Sequence, residues 1–224
     1  MSPLNALWVL LLAWLGPTSG AVWLYDRGWL DGPHSYLLFQ TAMIGLLCLG
    51  VLALSGRAAF ARDLGLRPVR PEHLAWAGLA LVLYLPADLS LKVYPLWSSG
   101  SAGVGDALRI YVARESPAAV TPVLVLAMAV MAPLAEELGF RGLLQGSLAR
   151  ALDGGPWIPL ALPGVLWTLG HLGGPAAYGV ASTAVLAVLL GVLRARSGSV
   201  LPGIALHAAV NGFWLGVAGW AGAR

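Results

Sequence analysis

Charge is scarce in this chain. Asp, Glu, Lys and Arg make up 10% of its 224 residues, against 58% hydrophobic. With a mean hydropathy of +0.79, that shortage excludes a water-soluble globular domain, in which about 25% of residues are charged. Cysteine is almost absent: Cys48 lies alone in an apolar run, which rules out a disulfide framework or a CxxC metal site. The basic surplus, 13 Lys plus Arg against 10 Asp plus Glu, is too small and scattered to engage nucleic acid. It reads instead as information about membrane topology. The period-2 alternation of a barrel strand is missing too, and only helices or closed barrels satisfy the backbone within hydrocarbon. The chain therefore reads as all-α: a polytopic transmembrane helix bundle in the lipid bilayer.

Crossing the hydrocarbon takes about 20 helical residues. Apolar runs predict spans over residues 4–24, 36–55, 73–95, 118–140 with an extension towards 152, 157–172, 177–194 and 200–220. This gives about seven spans in a single integral membrane domain, 1–224. Breaker-rich stretches separate them, among them SGRAAFARDLGLRPVRPEH, WSSGSAGVGD, LDGGP, HLGGP and RSGSVLP. The first segment ends in small residues like a secretory signal, but it lacks a basic leader and its apolar character resumes at AVWLY, so it is expected to stay as an uncleaved span. Residues 98–116 are too polar to cross; LRIYVAR within them has the spacing of an interfacial helix, with a solvated loop as the alternative.

Positive loops tend to remain cytoplasmic. Arg57, Arg62, Arg67 and Arg70, then Arg150, then Arg194 and Arg196 all fall on one side of a seven-span arrangement. The other side carries Arg27, Arg109, Arg114 and Arg224, largely offset by Asp26, Asp31, Asp106 and Glu115. The N-terminus is thus expected in the cytoplasm and the C-terminus outside.

Ionisable groups at membrane depth cost at least ~2.5 kcal/mol each on insertion scales, so their positions are informative. They are Asp88 and Lys92 in the third span, Glu136, Glu137 and Arg141 in the fourth, His171 at the end of the fifth, and His207 with Asn211 in the seventh. Asp88 and Lys92 have the i, i+4 spacing of an ion pair, as do Glu137 and Arg141. Glu136 is left over. Adjacent helical residues point about 100° apart, so Arg141 cannot serve both carboxylates alike, and Glu136 is free to face a cavity as a general base. Counting rise from the Arg-bearing turns puts Glu136 at ~27 Å, His171 at ~22 Å, His207 at ~12 Å and Asn211 at ~18 Å. Allowing for tilt, three helices can bring these groups to one polar centre.

These residues resemble the CPBP family, the CAAX-protease and bacteriocin-processing (Abi, Rce1-type) membrane endopeptidases. The family pattern is EExxxR, FxxxH and HxxxN. Glu136-Glu137-Leu138-Gly139-Phe140-Arg141 is complete and followed by GLLQG; His207-Ala208-Ala209-Val210-Asn211 is complete; the middle motif, Trp167-Thr168-Leu169-Gly170-His171, has Trp for Phe. The resemblance covers residues 118–215, the expected catalytic core. The Trp167 departure is expected to alter the shape of the cavity wall more than the chemistry.

The resemblance implies hydrolysis of a peptide bond in a membrane-associated protein or peptide. Glu136 would activate water, His171 would position it, His207 and Asn211 would stabilise the oxyanion, and Glu137 and Arg141 would hold the base in place. No cofactor or metal is required by this glutamate mechanism. Zinc is the alternative, since two histidines and a carboxylate are a possible ligand set, though HExxH is missing and Asn is a poor ligand. The composition points to a bacterial plasma-membrane protein whose substrate, such as a translocated protein's anchor, enters from the outer side. The rival readings are a non-catalytic scaffold or immunity protein of the same family, and a proton-coupled carrier, for which no inverted repeat speaks.

Overall fold

The computed structural model describes residues 1–98, 100, 120–152, 155, 157–172 and 177–222. Among them are seven principal helices and no strand. They are α1 (Pro3–Asp26), α2 (Gly32–Ser55), α3 (Pro71–Ser98), α4 (Pro122–Ala151), α5 (Trp157–Leu169), α6 (Ala177–Ser197) and α7 (Leu201–Gly222). All but α5 are long and apolar enough to cross a membrane. The expected interfacial helix within 98–116, Arg109, Arg114 and Arg224 lie outside the described residues, as does Gly154 of the turn before α5.

Helix starts follow local chemistry. Ser2 and Asp31 cap α1 and α2 by accepting from the Asn5 and His34 amides, and Thr121 caps α4 by accepting from Leu124. A proline follows each cap in the first turn, where its missing N–H leaves no helix bond unmade. On α1, Leu4, Trp8, Leu12 and Leu15 form an exposed apolar stripe at helical spacing, as a lipid-facing surface requires.

α5 departs from expectation. Residues 157–172 were predicted to span, but the helix stops at Leu169, and its 13 residues rise only about 20 Å against a hydrocarbon core of about 30 Å. In its C-terminal turn the Gly170 and His171 amides bond back to Leu166 and Thr168.

α4 is the centre of the bundle. Of its apolar window 56% is buried, against 17–39% for the other long helices. It is wound partly in the wider π register, over Leu126–Met131 and Glu137–Gln145. Such stretches are rare and occur mostly at functional sites. Proline explains the first: the ring of Pro133 cannot accommodate the carbonyl four residues back in α register. In π register its missing N–H would have served Met128, whose carbonyl instead accepts from Asn211 Nδ2 at 2.8 Å. The second is packed backbone to backbone. A Cβ on Gly142 would lie 2.2 Å from the Leu64 carbonyl oxygen, and one on Gly139 would lie 2.7 Å from Leu10 Cδ1. At Gly142, against backbone, only glycine permits that approach.

The predicted positive side is one physical end of the bundle. Asp63, in the short helix Phe60–Asp63, bonds the amino group of Met1, Arg62 and Arg150 at 3.0–3.2 Å. Ser199 Oγ donates to the Arg67 carbonyl, and the Val200 amide to that of Gly65. The loop after α2, the end of α4 and the α6–α7 turn thus meet.

Candidate active site

The i, i+4 pair on α4 is present: Arg141 Nη1 lies 3.0 Å from Glu137 Oε1, with both side chains almost fully buried. Arg141 Nη2 reaches the Ala187 carbonyl on α6 at 3.4 Å. Two residues of the wide α4 turn therefore neutralise each other inside the bundle. His207 of α7 adds a second donor, with Nδ1 3.2 Å from the same Oε1. The other oxygen of Glu137 is buried without a partner among the described residues. It points at Gly203, where a Cβ would come within 3.1 Å of it.

Glu136 faces the other way, towards α5. Its Oε2 stands 3.9 Å from His171 Nε2 and 4.0 Å from His207 Nε2, and the residue is 5% exposed. Both imidazoles have a defined outward nitrogen. His171 Nδ1 is 2.7 Å from the Trp167 carbonyl, which can only accept, so Nδ1 carries the proton and Nε2 of the neutral ring is an acceptor. His207 Nδ1 donates to Glu137, which likewise turns Nε2 towards Glu136.

Asn211 does not join this group directly. It is one turn beyond His207, and its amide nitrogen is committed to the Met128 carbonyl that Pro133 leaves open. An amide nitrogen carries two protons, so a second donor position remains.

Trp167 bears on the expectation that its departure would alter shape more than chemistry. Its indole Nε1 donates to Glu136 Oε2 at 2.5 Å, while Arg141 Cζ sits 4.7 Å from its ring centroid. A phenylalanine would keep the ring face towards the guanidinium and lose the bond to the carboxylate. The change is thus chemical as well as steric.

Sequence reasoning missed two groups on α2. The Tyr36 phenol is near enough to Glu136 to interact with its charge, and neighbouring Gln40 is fully buried beside it. Both have the spacing of one helix face, but neither adjoins a motif, and only the packing of α2 on α4 brings them here.

A resident zinc was the alternative for this centre. Each histidine bonds through Nδ1 to an acceptor, as metal-bound imidazoles do. Against that, an indole proton already occupies Glu136 Oε2, and both Nε2 atoms stand farther from it than the about 3.4 Å separating two tetrahedral ligands. Among the described residues no three such side chains are drawn together closely enough to hold a metal ion. The donor set does not fit zinc.

The second polar centre expected in the sequence also forms. Lys92 Nζ is 2.8 Å from Asp88 Oδ1 on α3, Ser182 Oγ of α6 donates to the same oxygen, and Trp214 Nε1 of α7 donates to Oδ2 at 2.6 Å.

Residues 118–213 match the Rce1-like family model, that of type II CAAX prenyl endopeptidase Rce1-like proteins. Over this segment, which holds α4 to α7 up to Phe213, the chain is similar to that family. No curated protein and no solved structure matches.

Proposed function

We propose that this chain is an intramembrane endopeptidase that hydrolyses a peptide bond in a membrane-associated protein or peptide, with Glu136 as general base. The observation that carries this reading is the gap between Glu136 Oε2 and two outward imidazole nitrogens. At 3.9 Å, the Glu136 oxygen and His171 Nε2 can both accept from one water. That water then turns a lone pair towards the scissile carbonyl. As the C–O bond forms, Glu136 takes its proton and later returns it to the leaving amine.

The oxyanion needs donors. His207 supplies one from Nε2 only as the imidazolium, because its Nδ1 proton already points at Glu137. Glu137 supports that charge while Arg141 balances the rest, so Glu136, Glu137, Arg141 and protonated His207 sum to zero. The free amide proton of Asn211 is a second donor. No step calls for a metal.

The substrate class suggested by the topology is a translocated protein's membrane anchor, reached from the outer side of a bacterial plasma membrane, with the Arg-rich end and the N-terminus in the cytoplasm. Reporter fusions that put Arg194 outside would reverse this orientation.

A second reading has one observation in its favour. The indole bond from Trp167 holds Glu136 Oε2 as a structural network would, consistent with a catalytically silent scaffold. One experiment separates the two: cleavage of a membrane-anchored reporter by wild type and by Glu136→Gln, each with and without a strong zinc chelator. The proposal requires loss of cleavage in the variant and indifference to the chelator. Wild-type cleavage that the variant retains would sink the glutamate mechanism, and loss on chelation would restore zinc.

A further inference from the structure

A sizeable hollow opens at the Arg-rich end, away from Glu136. It measures about 450 Å³ and is lined by Arg67, Arg150 and Arg194 with Gln145 and Gly146. Gln145 and Gly146 belong to the GLLQG run after the EExxxR motif, which the hydrolytic reading leaves without a task.

The hollow is built for an anion. A Cβ on Gly146 would lie 3.1 Å from Arg194 Nη2 and 3.3 Å from Arg150 Nη1, so the two guanidinium groups converge closely over this glycine. Asp63 bonds Arg150 but is already engaged by Met1 and Arg62, and Glu72 is paired with Arg70. Among the described residues no other carboxylate is paired at this end. Gln145 is 3% exposed, its Nε2 donates to the Gly191 carbonyl at 2.8 Å, and its buried Oε1 has no donor among the described residues. The wall thus offers cations for an anion.

The surroundings identify the anion's carrier. Arg150 and Arg194 are in the last turns of α4 and α6, where spans meet the headgroup layer. The seam between α5 and α6 that forms one wall through Pro159 and Ala195 carries a second, apolar hollow farther along. This one is about 280 Å³ and is lined by Leu160, Gly164, Val165 and Val188. Trp157 and Ile158, next to the charged hollow, are exposed, as are Val165 and Leu169 along the seam. A cationic pocket at the headgroup level and a hydrocarbon-lined hollow on the same seam complement one kind of molecule.

We infer that this seam is a binding site for an anionic phospholipid, with its phosphate between Arg150 and Arg194 and an acyl chain along α5 and α6. Arg194 Nε also donates to the Arg141 carbonyl at 3.1 Å, so the bound headgroup braces the turn that carries the Glu137–Arg141 pair.

The test uses the full chain, delipidated in detergent and offered phosphatidylglycerol, phosphatidylcholine or inorganic phosphate, with bound lipid counted by native mass spectrometry. Phosphatidylglycerol should be retained over phosphatidylcholine. Arg67→Gln, a change at an exposed side chain, should weaken retention about fivefold, the contribution of one basic residue near a charged surface. Ala149→Glu places a carboxylate from an exposed position into the same hollow and should abolish the preference without disturbing the core. Equal retention of both lipids, or of phosphatidylglycerol by both variants, overturns the inference. Full displacement of lipid by millimolar inorganic phosphate would make this a free-phosphate site. If Ala149→Glu raised KM for a peptide substrate while lipid retention held, the hollow would belong to substrate.

Discussion

The bundle buries two acid–base pairs at identical i, i+4 spacing, Asp88 with Lys92 on α3 and Glu137 with Arg141 on α4, and they end differently. Asp88 is closed: Lys92 and Ser182 engage one oxygen and Trp214 the other, and Lys92 also stacks on the Trp214 ring at 4.4 Å. The α4 centre is open. Its second carboxylate, Glu136, holds one indole donor and faces two imidazoles across gaps of about 4 Å, while one oxygen of Glu137 stays unpaired among the described residues. Burial of charge therefore does not mark a reactive site, since both centres have it. Under the proposed mechanism unused hydrogen-bonding capacity separates them, because it leaves room for a water and for the charge a reaction develops.

The strongest test of this contrast exchanges amides for acids in both centres. Glu136→Gln should lower kcat about 10²- to 10⁴-fold, the worth of a general base, with little change in thermal stability. Asp88→Asn should do the reverse. It leaves Lys92 without its carboxylate, a loss of about 3 kcal/mol for a broken buried pair, while cleavage by the folded fraction persists. Activity assays and melting curves in the same detergent would show the crossing. An Asp88→Asn protein that is stable but inactive would make the two centres equivalent and break the distinction.

Much of this was legible beforehand. Helix bounds follow from breakers and caps, the two ion pairs from spacing, and the similar depth of Glu136 and His171 from rise per residue, whereas the same count leaves His207 about 15 Å short of Glu136. The rest depends on contacts distant in sequence. Nothing local announces that Leu64 backs onto Gly142, so the π register of Glu137–Gln145 is invisible in the motif. The Trp167 bond to Glu136 needs the separation of α4 and α5 to be known. Asn211 reads as a member of the centre because it shares a face with His207, but its bond to Met128 follows only once Pro133 is seen to rob that carbonyl of its donor. The early end of α5 was missed because Gly170 and the turn after it still read as apolar.

The α4 centre depends on backbone contact in a way that the Asp88 centre does not. Gly142→Ala would drive a methyl group into the Leu64 carbonyl and should cost about 3 kcal/mol, the upper range for overpacking. Cleavage by the remaining folded protein should fall as well, because the same turn sets Glu137 and Arg141. If a variant this crowded melted like wild type, the packing account of the π stretch would fail.

Trp167→Phe sharpens the comparison from inside the open centre. It removes the one donor on Glu136 that resembles the Trp214 bond to Asp88. A charge-assisted bond of this kind contributes about 2 kcal/mol, so melting should shift down by that equivalent. Cleavage should survive, since the ring face towards Arg141 remains and Oε2 becomes freer to meet water. Loss of all cleavage with stability intact would instead make the indole part of the chemistry.

A third buried carboxylate, Asp63 at the Arg-rich end, extends the contrast beyond the membrane core. Burial by itself would raise its pKa, but the Ser55 hydroxyl, hydrogen bonds from Arg62 and the Met1 amino group, and the charge of Arg150 overcome that and hold it at about 2, well below the usual carboxylate range. A carboxylate whose pKa is lower when folded contributes stability above its unfolded value and loses it as pH falls through the folded one. The melting temperature should therefore be flat from neutral pH down to about 4 and then drop by a few degrees towards pH 2, the smallest of these effects because the pairs at this end are partly screened by solvent. In Asp63→Asn that drop should vanish, with a lower plateau at neutral pH. The closed Asp88 centre and the open α4 centre are unchanged in this variant, so cleavage at neutral pH should persist. If Asp63→Asn instead abolished cleavage while the fold held, the Arg-rich end would be part of the reactive centre, and the division between carboxylates that hold the bundle and the one that does chemistry would have to be redrawn.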